Sequence, residues 1–178
     1  MEQIRIHGRG GQGVVTAAEL IAIAAFYDGL EAQAFPNFGV ERTGAPIQAF
    51  ARIDKKAIIT REQIYEPSVL IIQDSSLIGH VDVFSGINKN TTIIINSQKN
   101  NWPDLKIASS HIFYSPATEI ALEIIGRNIV NTVILGAFAK YTKLVSLASL
   151  EKAIREKFQE KGDEIVNKNI AAIRRAYK

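Results

Sequence analysis

A short apolar run, Ile4-Arg5-Ile6, passes into His7-Gly8-Arg9-Gly10-Gly11-Gln12-Gly13 and then directly into Val14-Val15-Thr16-Ala17-Ala18. Few folds accommodate that order. Gly8, Gly10 and Gly13 fall at the G-x-G-x-x-G spacing, which lets the backbone turn sharply after a strand, present N–H groups to an anion and bring the next helix close to the strand. The turn serves phosphate contact and plain strand-to-helix packing equally well. A dinucleotide fold would also end its second strand on an acidic residue roughly 20 positions on, to take the ribose hydroxyls. Here the second strand, Leu30 to Phe35, runs into Pro36-Asn37-Phe38, which speaks against NAD and leaves a free-standing nucleotide-binding protein as the alternative reading.

The 178 residues suit one well-buried domain, so a single domain over 1–178 is expected. With 47% hydrophobic and 22% charged residues and no low-complexity tract, the chain is neither disordered nor fibrous. It has no cysteine, which removes disulfides and any thiolate-held iron–sulfur cluster or zinc from this chain. His7, His80 and His111 lie far apart and form no i, i+4 pair, so no metal site is expected. No apolar run reaches the length of a membrane span, and Met1-Glu2 leads straight into the first strand with no basic-then-apolar leader. A cytoplasmic protein without membrane contact is the expectation. From Lys140 onward ten basic side chains face five acidic ones, but they alternate at helical spacing as on a solvated face, and no nucleic-acid partner is expected.

Along the chain, Val14 to Tyr27 reads as a largely buried helix ended by Asp28-Gly29, with Glu19 reaching solvent or a salt bridge. Pro36 to Pro46 is rich in turn formers and carries Glu41-Arg42-Thr43-Gly44. Arg42 and Thr43 offer a guanidinium fork and a hydroxyl to a phosphate or carboxylate, while a local Glu41–Arg42 pair would be purely structural. Ile47 to Ile53, a turn at Asp54-Lys55-Lys56 and a return through Ala57-Ile58-Ile59-Thr60 read as a hairpin. Ser68 to Asp74 and Thr91 to Ser97 are apolar runs with polar ends, where open α/β sheets hold ligands, and Asp74 and Ser75 are expected to cap a short helix. Ile112 to Ser115 is a last strand. Helices follow from Pro116 to Ile125, from Ile129 to Tyr141 with Asn131 assigned to the core, after a cap at Ser146, and through Ile165, Ile170, Ile173 and Tyr177. The expected class is α/β, a three-layer α/β/α sandwich over a mixed, mostly parallel sheet of about five strands.

Two stretches together resemble a known family. His7 to Ala17 and Phe38-Gly39-Val40-Glu41-Arg42-Thr43-Gly44-Ala45-Pro46 are similar to the paired signatures of the gamma subunit of pyruvate and 2-oxoisovalerate:ferredoxin oxidoreductases, and the likeness extends to Asn131–Ala137. The resemblance implies a subunit, inactive alone, of an enzyme that decarboxylates a 2-oxoacid on thiamine diphosphate, passes electrons through iron–sulfur clusters to ferredoxin or flavodoxin, and transfers the acyl group to coenzyme A. It implies alpha, beta and delta-type companion subunits that hold thiamine diphosphate, magnesium and the clusters, none held by this chain alone. It further implies that Gly8, Arg9, Gly10, Gly11, Gln12 and Gly13, with Glu41, Arg42, Thr43 and Gly44, face coenzyme A or a neighbouring subunit. No catalytic residue is carried over. The sequence departs from the family pattern at Val40 and Thr43, where relatives commonly carry a proline and a second arginine. Pyruvate is the first reading of the substrate; 2-oxoisovalerate, 2-oxoglutarate and indolepyruvate enzymes have related subunits.

Overall fold

The computed structural model describes residues 1–37, 43–98 and 111–178. Six strands form one sheet in the order β2-β3-β1-β4-β5-β6: β1 (Glu2–Arg9), β2 (Glu31–Pro36), β3 (Pro46–Asp54), β4 (Val69–Ile72), β5 (Thr92–Asn96) and β6 (His111–Ser115). The class is α/β and the sheet is mixed and mostly parallel, as expected, with one strand more than the sequence suggested. β1, β4, β5 and β6 run parallel, while β3 pairs antiparallel with both β1 and β2.

The expected hairpin return is not formed. Residues 57–60 leave the sheet, because β2 on one side and β1 on the other already fill both hydrogen-bonding edges of β3. The antiparallel partners of β3 are therefore β1 and β2, and the chain reaches β3 from β2 through residues 37–45 rather than leaving it by a tight turn at Asp54.

Alternation along the strands sorts side chains onto two faces. Ile4, Ile6, Ala49, Ala51, Val69, Ile71 and Ile94 face a helical layer. There α1 (Val14–Tyr27) lies close to the sheet because its inner surface is alanine: Ala17, Ala18, Ala24 and Ala25 are fully buried. α2 (Ala117–Ile120) continues into one π-helical stretch, Ala121–Ile125, so the helix expected from Pro116 to Ile125 is present with a wider final turn. α3 (Val130–Thr142) and α5 (Asp163–Tyr177) cross closely, since a Cβ at Gly136 would stand 2.2 Å from the Ile173 carbonyl oxygen. α4 (Leu147–Phe158), capped by the Ser146 hydroxyl as expected, packs against α1, and Lys157 pairs with Glu19 at 2.7 Å.

On the opposite face Leu70, Ile72, Ile93 and Ile95 are covered by Leu77 and Val83 from the segment after β4. That third layer is mostly irregular chain among the described residues, with a single 3-10 turn at Ser75–Leu77. Its neighbour is held by two buried guanidiniums. Arg5 donates to the carbonyls of Ile64, Tyr65, Val83 and Ser85, and Arg52 donates to Gln3, Gln33 and the Glu62 carbonyl while lying over the Phe35 ring. The residues after β3 thus cover the sheet through their backbone carbonyls instead of extending it.

His7, 1% exposed, shares this face. Burial, and then the charge of Arg5, push its pKa down to about 3, so the folded protein keeps a neutral ring. The unfolded chain takes up that proton near pH 6.5, and the folded one does not until the pH approaches 3. The stabilisation from neutral His7 is therefore complete above the unfolded value and declines as pH falls below it, by about 1.4 kcal/mol per pH unit. Urea unfolding at pH 7 and pH 5 should show a loss of about 2 kcal/mol that is absent in His7→Gln. An equal loss in the variant would assign the dependence elsewhere.

Candidate functional site

Because β1, β4, β5 and β6 are parallel, their C-terminal ends lie along one edge of the sheet, joined there by the start of the antiparallel β3. Polar residues that follow the parallel strands gather at this edge. The glycine turn follows β1, Asp74 follows β4, Asn96 ends β5, and Thr118 lies in the first turn of α2 after β6.

The turn is built as its glycines require. A Cβ at Gly8 would stand 2.6 Å from Val14 Cγ2, so the strand and α1 approach more closely than any side chain would allow. Gly13, at φ +69, opens α1 from the left-handed region, and no side chain caps that helix. Asn131, 8% exposed at the start of α3, packs against Gly13, in keeping with its assignment to the core.

The two predicted stretches meet. The Gly10 amide donates to the Ala45 carbonyl at 2.9 Å, the Gly44 amide donates to the Gly10 carbonyl at 3.0 Å, and Gly10 bridges to Thr43. Glu41 and Arg42 lie outside the described residues. Arg9 fastens the junction: its Nη1 donates to the Gly44 carbonyl at 3.0 Å, Nη2 to Ser76 Oγ at 2.9 Å, and Nε to Asp74 Oδ2 at 3.1 Å. Gln12 accepts from the Arg9 amide at 2.8 Å and donates to Asp74 Oδ2 at 2.9 Å. Arg9 and Gln12 are thus braces, and the Gly10 amide is already used within the protein. The uncapped first turn of α1 offers backbone amides to an anion.

Asp74 is the hub that sequence reading reduced to a cap. It does cap the 3-10 turn, accepting from the Ser76 amide at 3.0 Å and the Ser76 hydroxyl at 2.6 Å. It also collects Arg9 and Gln12. Burial pushes its carboxyl up, but the bonds from Ser76 and Gln12 and the Arg9 charge outweigh that and hold it below the usual carboxylate range.

Beside this hub lies a polar cavity of about 190 Å³, lined by Gln12, Gln73, Asp74, Asn96, Thr118 and Asn128 among others. Asn96 is held by its own bonds, donating to the Gln73 carbonyl at 2.9 Å and to Thr118 Oγ1 at 2.8 Å. Gln73, Asn96 and Asn128 were missed as site residues. The signal for the first two was the polar end of an apolar strand; Asn128 has no such signal, since only the fold brings it to the edge. No group of three His, Cys, Asp or Glu side chains suited to a metal occurs among the described residues.

The pyruvate ferredoxin/flavodoxin oxidoreductase family matches residues 3–178. The chain belongs to that family. Among its curated members, the pyruvate synthase subunit PorC of Methanocaldococcus jannaschii is 50% identical over 99% of this chain and 96% of its own length. The pyruvate/ketoisovalerate oxidoreductases common subunit gamma of Pyrococcus furiosus is 48% identical over the same shares. The crystal structure of the pyruvate oxidoreductase subunit PORC from Thermotoga maritima superposes with a TM-score of 0.85 at 35% identity, covering 99% of this chain and 94% of that one. The likeness to oxidoreductase gamma chains suggested by two motifs therefore extends from end to end, and the fold is that of the family.

Proposed function

We propose that the chain is the gamma subunit of a multisubunit 2-oxoacid:ferredoxin or flavodoxin oxidoreductase, with pyruvate as the first substrate to test. The assembly converts a 2-oxoacid and coenzyme A to acyl-CoA, CO2 and a proton, and delivers two electrons to the acceptor. The observation that carries this reading is the end-to-end match to chains named as subunits of such enzymes. A chain without cysteine cannot ligate an iron–sulfur cluster through thiolates, so the electron path runs through companions of alpha, beta and delta type, as does the thiamine diphosphate chemistry. On this reading the subunit works in the cytoplasm.

Its contribution is the edge described above. The glycine turn, the Thr43–Gly44 segment that bridges to it and the polar cavity form one wall on which coenzyme A docks against a neighbouring subunit, with Glu41 and Arg42 as expected participants. The Pyrococcus furiosus relative is named as common to pyruvate and ketoisovalerate enzymes, which supports a wall that serves the acyl acceptor and leaves the choice of oxoacid to the companions.

Purification of the tagged chain from its native cell should bring down thiamine-binding and cluster-bearing chains, and that assembly should reduce ferredoxin or flavodoxin with pyruvate only when coenzyme A is present. The chain alone should be inactive. An active lone chain, or an assembly that turns over no 2-oxoacid, would overturn the assignment.

A further inference from the structure

We propose that the cavity beside Asp74 receives an uncharged amide, a group that both donates and accepts hydrogen bonds, and that Gln73 is the side chain that recognises it. This rests on the reading that the acyl acceptor docks at this edge. It separates the wall into a phosphate-facing part, at the uncapped start of α1, and a neutral part.

Gln73 is 2% exposed, and among the described residues neither its Oε1 nor its Nε2 has a hydrogen-bond partner. A buried amide normally fills both needs, and one that fills neither calls for an explanation. Gln73 lines the cavity, and its backbone is fixed there, the amide donating to the His7 carbonyl at 2.8 Å and the carbonyl accepting from Asn96. Only the side-chain amide is left to move. Recognition requires that amide to turn toward the cavity, where its Nε2 donates to the carbonyl of a guest amide or its Oε1 accepts from the guest N–H.

The remaining lining agrees with a neutral guest. Gln12, Asn96 and Asn128 are amides and Thr118 is a hydroxyl; the one carboxylate, Asp74, is already matched by Arg9. An anion placed in the cavity would find among the described lining residues no cation to pair with and Asp74 to repel it. The volume holds a few non-hydrogen atoms, enough for an amide and its flanking carbons. Coenzyme A carries two secondary amides in its pantetheine arm and its phosphates elsewhere, so the two parts of the wall match the two parts of the molecule.

Gln73→Met tests this, because it keeps the length of the side chain and removes the amide. As the Gln73 side chain makes no hydrogen bond among the described residues, the isolated variant should unfold at the same urea concentration as the parent or a higher one. In the assembled oxidoreductase the same variant should raise the KM for coenzyme A and for pantetheine about tenfold, keep kcat within about twofold, and leave inhibition by adenosine 3′,5′-bisphosphate unchanged. A lowered urea midpoint, an unchanged KM for pantetheine, equal weakening of the bisphosphate, or dissociation of the subunits would each overturn the proposal. Hydrogen exchange of residues 8–13 in the unmodified assembly separates this from the wider reading. Protection by coenzyme A without a Gln73→Met effect defeats only the amide assignment, whereas no protection defeats docking at this edge altogether.

Discussion

Gly13→Val should cost the chain about 2–5 kcal/mol of folding free energy, the sum of a backbone penalty of about 1–2 kcal/mol and an overpacking penalty of about 1–3 kcal/mol. The backbone part arises because φ at Gly13 is +69, where an L side chain crowds its own carbonyl and a β-branched one does so most. The packing part arises because a Cβ there would stand 2.4 Å from Asn131 Nδ2 and 2.8 Å from its Cγ, and Asn131 is itself enclosed at the start of α3. Gly29→Val supplies the control. Gly29 has a similar φ of +77 with no atom within 4 Å of the added Cβ, so it carries the backbone penalty alone. Urea unfolding of both variants should therefore place Gly13→Val lower by about 1–3 kcal/mol. Equal losses would mean that Asn131 swings aside, and that α3 is not what holds the glycine turn in place.

The same residues explain what could and could not be read from the sequence. The turn was legible because its glycines impose a local geometry that no other residue satisfies, and Gly8 and Gly13 meet that demand in the fold. The polar ends of β4 and β5 were legible as a ligand-side edge, because parallel strands align such ends whatever their neighbours. The return strand at 57–60 was misread because pattern and turn chemistry are local, whereas pairing is decided by which edges of β3 are already filled from β1 and β2. Arg5 and Arg52 alternate with apolar neighbours along their strands, a pattern that carries no local sign of burial. They are buried because a distant segment brings its carbonyls to them, a demand written into no neighbouring residue. Asp74 was read correctly as a cap and incompletely as a hub, since Arg9 and Gln12 reach it across more than 60 positions.

That hub yields the second large effect. Asp74→Ala should lower the folding free energy by about 2–3 kcal/mol, because it removes the acceptor for Ser76, Gln12 and Arg9 and leaves a half-buried guanidinium without its counter-charge. The greater consequence is for the wall. Arg9 spans from Asp74 to the Gly44 carbonyl, so without the carboxylate the 43–45 segment loses the side-chain brace that ties it to the glycine turn. In the assembled oxidoreductase the KM for coenzyme A should then rise by at least tenfold, about 1.4 kcal/mol, with a smaller change in kcat. Asp74→Asn distinguishes charge from shape. Its oxygen can still accept from Ser76, but its amide would face the Arg9 and Gln12 donors, so the cap survives and the brace does not. In the parent, Asp74 has a folded-state pKa below the ordinary 3.8, so its stabilisation is present above that value and is lost as the pH falls through the folded-state pKa. Asp28, Asp54 and Glu164 are also held low. The informative quantity is therefore the difference between parent and Asp74→Asn, which should shrink on acidification below pH 3.8. A variant with normal KM would show that the two loops hold their relation through the Gly10–Ala45 and Gly44–Gly10 backbone bonds alone.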